Sequence, residues 1–355
     1  MCPRVTIVYN EPQPSIYDRA GEGAAVQGIL QSVTAVRDAL IERGYPVDRL
    51  PLVPPREDAV ALLEALDTDI VFNLFEGFCG QPETEPIVPE ILVKRAIAFT
   101  GCRAETLRLC LDKSAVKIIL RAAGVLTPDY QLLGPTSKHW FKLHFPCIVK
   151  PCGDDASHGI TKESVVYDFA SLSERVLKIS TTYGGDALVE RFITGREFNA
   201  TVLAGGQVLP VSEIVFTAAG KGPRLLTYSA KWEPGSKEYR DSTVVCPAEL
   251  GKADQRLISR TALRAWNAIG CTGCARVDMR MDEDGNLYVL EINPNPDISP
   301  DAGAARQAAA AGMTYADLIE TLLGSVIKKE ESNDYHPAHD GGGQTSDNAH
   351  PPAYA

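Results

Sequence analysis

ARVDMRMDEDGNLYVLEINPNPDISP, residues 275–300, is the stretch whose reading decides the rest of the chain. Asp284-Gly285 between two strand-like runs is a strong hairpin signal and predicts a two-residue type I′ turn. That turn sets Met281 opposite Tyr288, Met279 opposite Leu290, Asp278 opposite Glu291 and Arg276 opposite Asn293. Opposite residues share a face, and faces alternate along each strand. Val277, Met279, Met281, Tyr288, Leu290 and Ile292 then form an apolar face. Arg276, Asp278, Arg280, Val289, Glu291 and Asn293 form the other.

The turn places the Asp278 and Glu291 Cβ atoms about 5 Å apart. Two facing carboxylates repel unless a cation or a proton lies between them. With the neutral oxygen of Asn293 one step along, the set suits Mg²⁺, which keeps positions for water and phosphate. The competing reading is a solvated face whose carboxylates are neutralised by Arg276 and Arg280. The clean split of faces and the rigid exit Pro294-Asn295-Pro296 favour the metal.

Working outward, VTIVY (5–9), a helix over Gly28–Arg43 ending at Gly44, a strand near Val47, a helix near 56–66 and DIVFNLF (69–75) form a βαβ pattern, which predicts an open α/β domain. LDKSAVKIILRAAGVLTPDY (111–130) predicts a helix closed by Gly124. FPCIVKP (145–151), ALVERFI (187–193) and EFNATVLAGGQVLPVSEI (197–214) predict strands and hairpins, so the remainder is α+β. Past Lys329 the residues have almost nothing to bury, and disorder is expected. Three of the six histidines fall in that tail and read as solvated residues.

The 355 residues are 45% apolar and 23% charged, with a net charge of −11. That balance argues against a broad nucleic-acid or anionic-membrane footprint. No run approaches the length of a membrane span, and the N-terminus has no signal-peptide pattern. Nine scattered cysteines suit reduced thiols in the cytoplasm better than a disulfide framework. Cys271 and Cys274 form a lone CxxC, read as buried structural thiols rather than zinc ligands.

The hairpin resembles the C-terminal hairpin of ATP-grasp ligases, in the D-alanine–D-alanine ligase-like branch. FNLFEG (72–77), FTG (99–101), LDKSAVKIIL with GVLTPDY, FPCIVKP, ERFITGREF (190–198), YSAKW (228–232) and CPAEL (246–250) occur in that family's order and at about its spacing. The resemblance covers residues 5–325. It implies an ATP-grasp fold behind an N-terminal α/β domain: residues 1–110, a central subdomain at 111–205 and a C-terminal subdomain at 206–328 bearing the hairpin, with the tail at 329–355.

The resemblance also implies roles. Lys113 and Lys150 match the lysines that hold nucleotide phosphates. Glu190, Arg191, Phe192 and Ile193 match the segment lining the adenine, and Glu197 the carboxylate that takes the ribose hydroxyls. Asp278, Glu291 and Asn293 match the Mg²⁺ ligands, with Mn²⁺ as an alternative cation. Lys231 and Arg276 match cations that neutralise phosphate and the tetrahedral intermediate. The loop Gly153–Gly159, with Ser157, matches a mobile flap over the phosphates. The implied reaction joins a small carboxylate to an amine through an acyl phosphate, in a protein that is often a homodimer.

The substrate positions depart from those of a true D-alanine–D-alanine ligase. Ala25 falls where that enzyme holds an amino group with a glutamate, with Glu22 nearby. Glu76 falls near its histidine, Asp297 replaces a glycine, Ala302-Gly303 replaces a Ser-Leu pair, and Trp232 replaces a tyrosine. A helix is expected from Ser299 as N-cap and Pro300 as N1, with Arg306 as a carboxylate partner. These departures predict a ligase for other small molecules. A true D-alanine–D-alanine ligase is the alternative, and a degenerate nucleotide-binding protein on the same fold is a third reading.

Overall fold

The computed structural model describes residues 2–14, 28–153, 159–217, 222–233 and 235–333. The chain opens with β1 (Val5–Asn10), α1 (Ile29–Glu42), β2 (Val47–Leu52), α2 (Arg56–Ala65), β3 (Ile70–Leu74), α3 (Ile87–Lys94) and β4 (Ala98–Phe99). Their strands form a sheet in the order β2-β1-β3-β4, with every pair parallel. All residues of β1 and β3 are buried, because helices cover both faces of a parallel sheet.

Helices α4 (Ala104–Leu111) and α5 (Lys113–Ala122) are separate. The break falls at Asp112, whose carboxylate leaves helical geometry to accept from the Ser114 and Ala115 amides at 3.0 Å. An N-cap of this kind starts the helix at Lys113, two residues after the expected start at Leu111. Strand β5 (Tyr130–Leu133), β6 (Cys147–Pro151), β7 (Val165–Val166), helix α6 (Phe169–Thr182) and β8 (Ala187–Arg191) follow. These strands make an antiparallel sheet ordered β5-β8-β6-β7. Leu172, Val176 and Ile179 of α6 pack on its Val149 and Val189.

The third sheet contains β9 (Arg196–Val202), β10 (Ser212–Phe216), β11 (Ser242–Val245), β12 (Ala275–Met281) and β13 (Leu287–Asn293). Its order is β11-β10-β9-β12-β13, antiparallel throughout. The short helices α7 (Tyr228–Trp232) and α8 (Lys237–Arg240) border it, and α9 (Lys252–Ala268) buries Ile258, Ala262 and Ala265 against its apolar face. Helices α10 (Gly303–Ala310) and α11 (Tyr315–Asn333) return to the N-terminal sheet. There Leu318, Ile319 and Leu323 share a core with Val5, Ile7 and Val36. Residues 329–333 of the expected tail therefore continue a helix, and 334–355 lie outside the described residues. Cys271 and Cys274 are buried free thiols.

The hairpin corrects the sequence expectation at its tip. Its loop is one residue longer than the expected type I′ turn: Asp282 N donates to Asn286 O at 3.0 Å, and Gly285 N to Asp282 O at 3.1 Å, with Gly285 at φ 80°. The Asp282 carboxylate stabilises this wider loop by accepting from the Asp284 and Asn286 amides. Met281 therefore faces Leu287 and Arg280 faces Tyr288. A bulge at Leu290 then absorbs the extra residue, so Asp278 still faces Glu291 and Arg276 still faces Asn293. The faces change accordingly. Leu287 and Val289 join the core, Tyr288 lies under Arg191 with 4.9 Å from guanidinium to ring centre, and Leu290 borders the cleft.

The hairpin tip is pinned from the side by Gly195 in the β8–β9 connection, at φ 105°. A Cβ there would stand 2.2 Å from the Met281 carbonyl oxygen. Gly195→Ala combines a left-handed backbone with a backbone clash, and should cost about 2 kcal/mol or more in denaturant unfolding.

Candidate active site

The three sheets surround one cavity of about 790 Å³. Lys113 reaches its wall from the start of α5, Lys150 from β6 and Glu197 from β9. Lys231 enters from α7, Arg276 and Asp278 from β12, and Glu291 and Asn293 from β13. Eight of the residues singled out in the sequence thus share one space. Glu190, Arg191, Phe192 and Ile193 do not border it. Glu190 is 1% exposed and ion-paired to Lys117 and to Lys150, the latter at 2.5 Å. Phe192 lies 5.0 Å from the Arg280 guanidinium, and the Ile193 carbonyl accepts from Arg280 at 2.8 Å. Ser157, Glu22 and Ala25 lie outside the described residues.

Charge on the hairpin face is arranged in pairs. Arg276 donates through Nε and Nη2 to both oxygens of Asp278, each at 2.8 Å. Arg280 instead grips Glu197, with Nε to Oε2 at 3.0 Å. The face is therefore half-buried and internally compensated, not simply solvated. Asn293 fixes its own exit by accepting from the Asn295 amide at 2.9 Å. Asn295 donates in turn to the Phe75 carbonyl and to Glu85, which staples the hairpin exit to the loop after β3.

That staple brings Glu76 and Asp297 to the same end of the cavity as Lys231. The Glu76 side chain is exposed to the cleft, yet the protein crowded around its carboxyl, then the Asp297 carboxylate, push it up to about 7 against the pull of Lys231. Burial and then Arg276 push Lys231 down to about 8, against the attraction of Asp278, Glu291 and Asp297. In Glu190, Lys117 and Lys150 outweigh burial and hold the carboxyl well below its usual range.

The helix expected from Pro300 starts at Gly303, with Ala302 at the cap and no side-chain cap bond. Asp297 accepts from the Ser299 amide at 2.8 Å, and Ala302 N donates to Ser299 O, so the chain turns once before the helix begins. Arg306 borders the cavity and donates to the Asp301 carbonyl at 2.8 Å.

Sequence reasoning missed Lys117, Asn295 and Gln307. Gln307 is fully buried and ties α10 to the third sheet through the Thr201 amide and Ser212. For Lys117 a signal existed. Lys113, Val116, Lys117 and Leu120 recur at helical spacing and are all buried, so this lysine stands on the apolar face of α5.

The family model described as "D-ala D-ala ligase C-terminus" matches residues 121–324. The chain belongs to the D-alanine–D-alanine ligase family. It is similar to the D-alanine–D-alanine ligase of Synechococcus sp. (strain JA-2-3B'a(2-13)), 30% identical over 85% of this chain and 90% of that one. It is also 32% identical to the uncharacterized protein y4sG of Sinorhizobium fredii, over 73% of this chain and 75% of the other. The solved Bacillus anthracis D-alanine–D-alanine ligase complexed with ATP shares the fold, with a TM-score of 0.71 at 22% identity over 94% of this chain and 99% of that one. The fold is therefore ATP-grasp and the chain is a ligase of the C–N bond-forming class. Among the described residues no helix is long and apolar enough to cross a membrane.

The raised Glu76 carboxyl has a measurable consequence. A carboxyl whose folded pKa lies above its unfolded value holds its proton in the folded state, so stability falls as pH rises from about 4.5 toward about 7. Glu76→Gln removes that loss. Its unfolding midpoint should exceed that of the parent at pH 8, and the gap should close as the pH falls to 5.

Proposed function

We propose that this ligase activates a small carboxylate, an amino acid by preference, as an acyl phosphate at the expense of ATP and joins it to an amine other than D-alanine. The observation that carries this reading is the pair of opposed carboxylates, Asp278 and Glu291, lining one cavity with Lys113, Lys150, Lys231 and Arg276. Lys113 and Lys150 are placed to hold the phosphates of the nucleotide as flexible point charges. Glu197, held by Arg280, is ready to take the ribose hydroxyls.

The donor set fits Mg²⁺, or Mn²⁺ in its place. Asp278, Glu291 and Asn293 offer hard oxygens on one side of the cavity and leave the rest of the shell to water and phosphate. Bound there, the ion would neutralise phosphate charge and polarise the transferred phosphoryl group. Arg276 holds both oxygens of Asp278, and with Asp278 engaged by a cation its guanidinium would be available to phosphate. Lys231 lines the same cavity beside this charged group, ready for charge that develops on the tetrahedral intermediate. The substrate carboxylate attacks the γ-phosphorus and ADP leaves. The amine then attacks the acyl carbon, and phosphate leaves. No protein nucleophile is required, because positioning and charge compensation supply the acceleration.

The substrate end supports an amine other than D-alanine, because Glu76 and Asp297 bring two carboxylates to it. A true D-alanine–D-alanine ligase is the second reading, favoured by the 30% identity to the Synechococcus enzyme of that name. A homodimer in the cytoplasm is part of the proposal, on the family resemblance and the scattered cysteines. Phosphate release with D-alanine alone, set against a screen of carboxylate and amine pairs, separates the readings. We expect turnover on a pair other than D-alanine with itself, and none in Glu291→Gln, which removes a charge without changing shape. Strong turnover on D-alanine alone favours the second reading, and normal turnover in Glu291→Gln overturns the assignment of the metal site.

A further inference from the structure

Lys117 is a buried cation that the reaction does not use. It is 1% exposed, lies on the inner face of α5 and meets three other parts of the chain. It is ion-paired to Glu190 of β8. It donates to Thr127 Oγ1 at 2.9 Å and to the Leu290 carbonyl at 3.4 Å. Burying a lysine is expensive, and an apolar side chain of similar volume often serves stability as well. The cost therefore asks for a positional explanation.

The position of its acceptor supplies one. Leu290 is the bulge residue, the only one in β13 without an opposite number on β12. A bulge leaves backbone groups outside the ladder, and these need partners. β13 is also the edge of its sheet. The bulge is clamped from the segment after α5: Val289 N donates to Leu126 O at 2.8 Å, and Lys117, braced by the adjacent Thr127, donates to Leu290 O. The bulge in turn decides the face of Glu291. Continuing the register of the hairpin tip, Met281 with Leu287 and Arg280 with Tyr288, would set Asp278 opposite Leu290 and turn Glu291 toward the core.

We propose that Lys117 is a positioning residue that holds the Leu290 bulge and so keeps Glu291 across from Asp278, while the same ammonium fixes Glu190 beside Lys150. This inference rests on the assignment of Asp278, Glu291 and Asn293 as the cation site. The buried Lys117–Glu190–Lys150 cluster joins the phosphate-binding strand β6 to the metal-binding strand β13. Nucleotide and cation are thereby held in one frame.

The test measures Mn²⁺ binding to the full chain in the presence of ADP, by electron paramagnetic resonance. Wild type should bind and Glu291→Gln should bind far more weakly; if they bind alike, the cation site itself is misplaced and the failure lies with that assignment. Given that difference, Lys117→Met should weaken Mn²⁺ binding about tenfold or more, as loss of a group supporting a metal ligand does. Thr127→Val, which removes only the brace, should weaken it about threefold, in keeping with the loss of one hydrogen bond. Because Lys117 acts through Glu291, the double variant Lys117→Met/Glu291→Gln should bind within about twofold of Glu291→Gln alone. Mn²⁺ affinity in a folded Lys117→Met within twofold of wild type, or additive losses in the double variant, overturns the proposal. If Lys117→Met does not fold, Thr127→Val decides, and an unchanged affinity in it overturns the proposal equally.

Discussion

Two carboxylates facing each other across a β-hairpin are a standing repulsion, and the architecture around Asp278 and Glu291 is arranged to hold it in place. Like charges directly opposite destabilise a ladder, and more so where water is scarce. The chain compensates locally with Arg276, bidentate on Asp278, and with Lys231, which lines the same cavity and is attracted by both carboxylates. It also fixes the strand exit through Asn293 and Asn295, so that the pair cannot relax by fraying. The proposed cation of this ATP-dependent ligase would take over that compensation.

The same logic explains the buried charges farther from solvent. Glu190 stands between Lys117 and Lys150, and Glu197 is gripped by Arg280, itself only 3% exposed. Each pair costs desolvation that its attraction recovers only with good geometry. Each also ties two elements whose relative position matters to the cleft: α5 with β8 and β6, and β9 with β12. The apolar cores supply the bulk of the folding free energy, and the ion pairs define how the layers meet.

How much of this could be read in advance depends on range. The parallel first sheet followed from short apolar runs alternating with helical spacing, since periodicity reports directly which face is buried. Asp278 opposite Glu291 was legible too, but for an incomplete reason. The expected tight turn and the observed wider loop differ by one residue, and the bulge at Leu290 cancels the difference below it. A bulge has no local signature, so the side on which Tyr288, Val289 and Leu290 fall was misread. Glu190 could be placed in a strand, yet its partner Lys117 stands 73 positions earlier (190 minus 117), and only folding makes that pair. The start of α10 at Gly303 depended on one hydrogen bond, from the Ser299 amide to Asp297, which makes a turn where Ser-Pro suggests a helix cap.

The opposed carboxylates call for a cation between them. Crystals of the protein with ADP and Mn²⁺, measured at the manganese absorption edge, test this directly. An anomalous peak bonded to Asp278 and Glu291 at about 2.1 Å, the distance expected of small hard cations on oxygen, is the predicted result. Ordered ADP with manganese bound elsewhere, or with Asp278 still closed on Arg276 and no peak beside it, would contradict it.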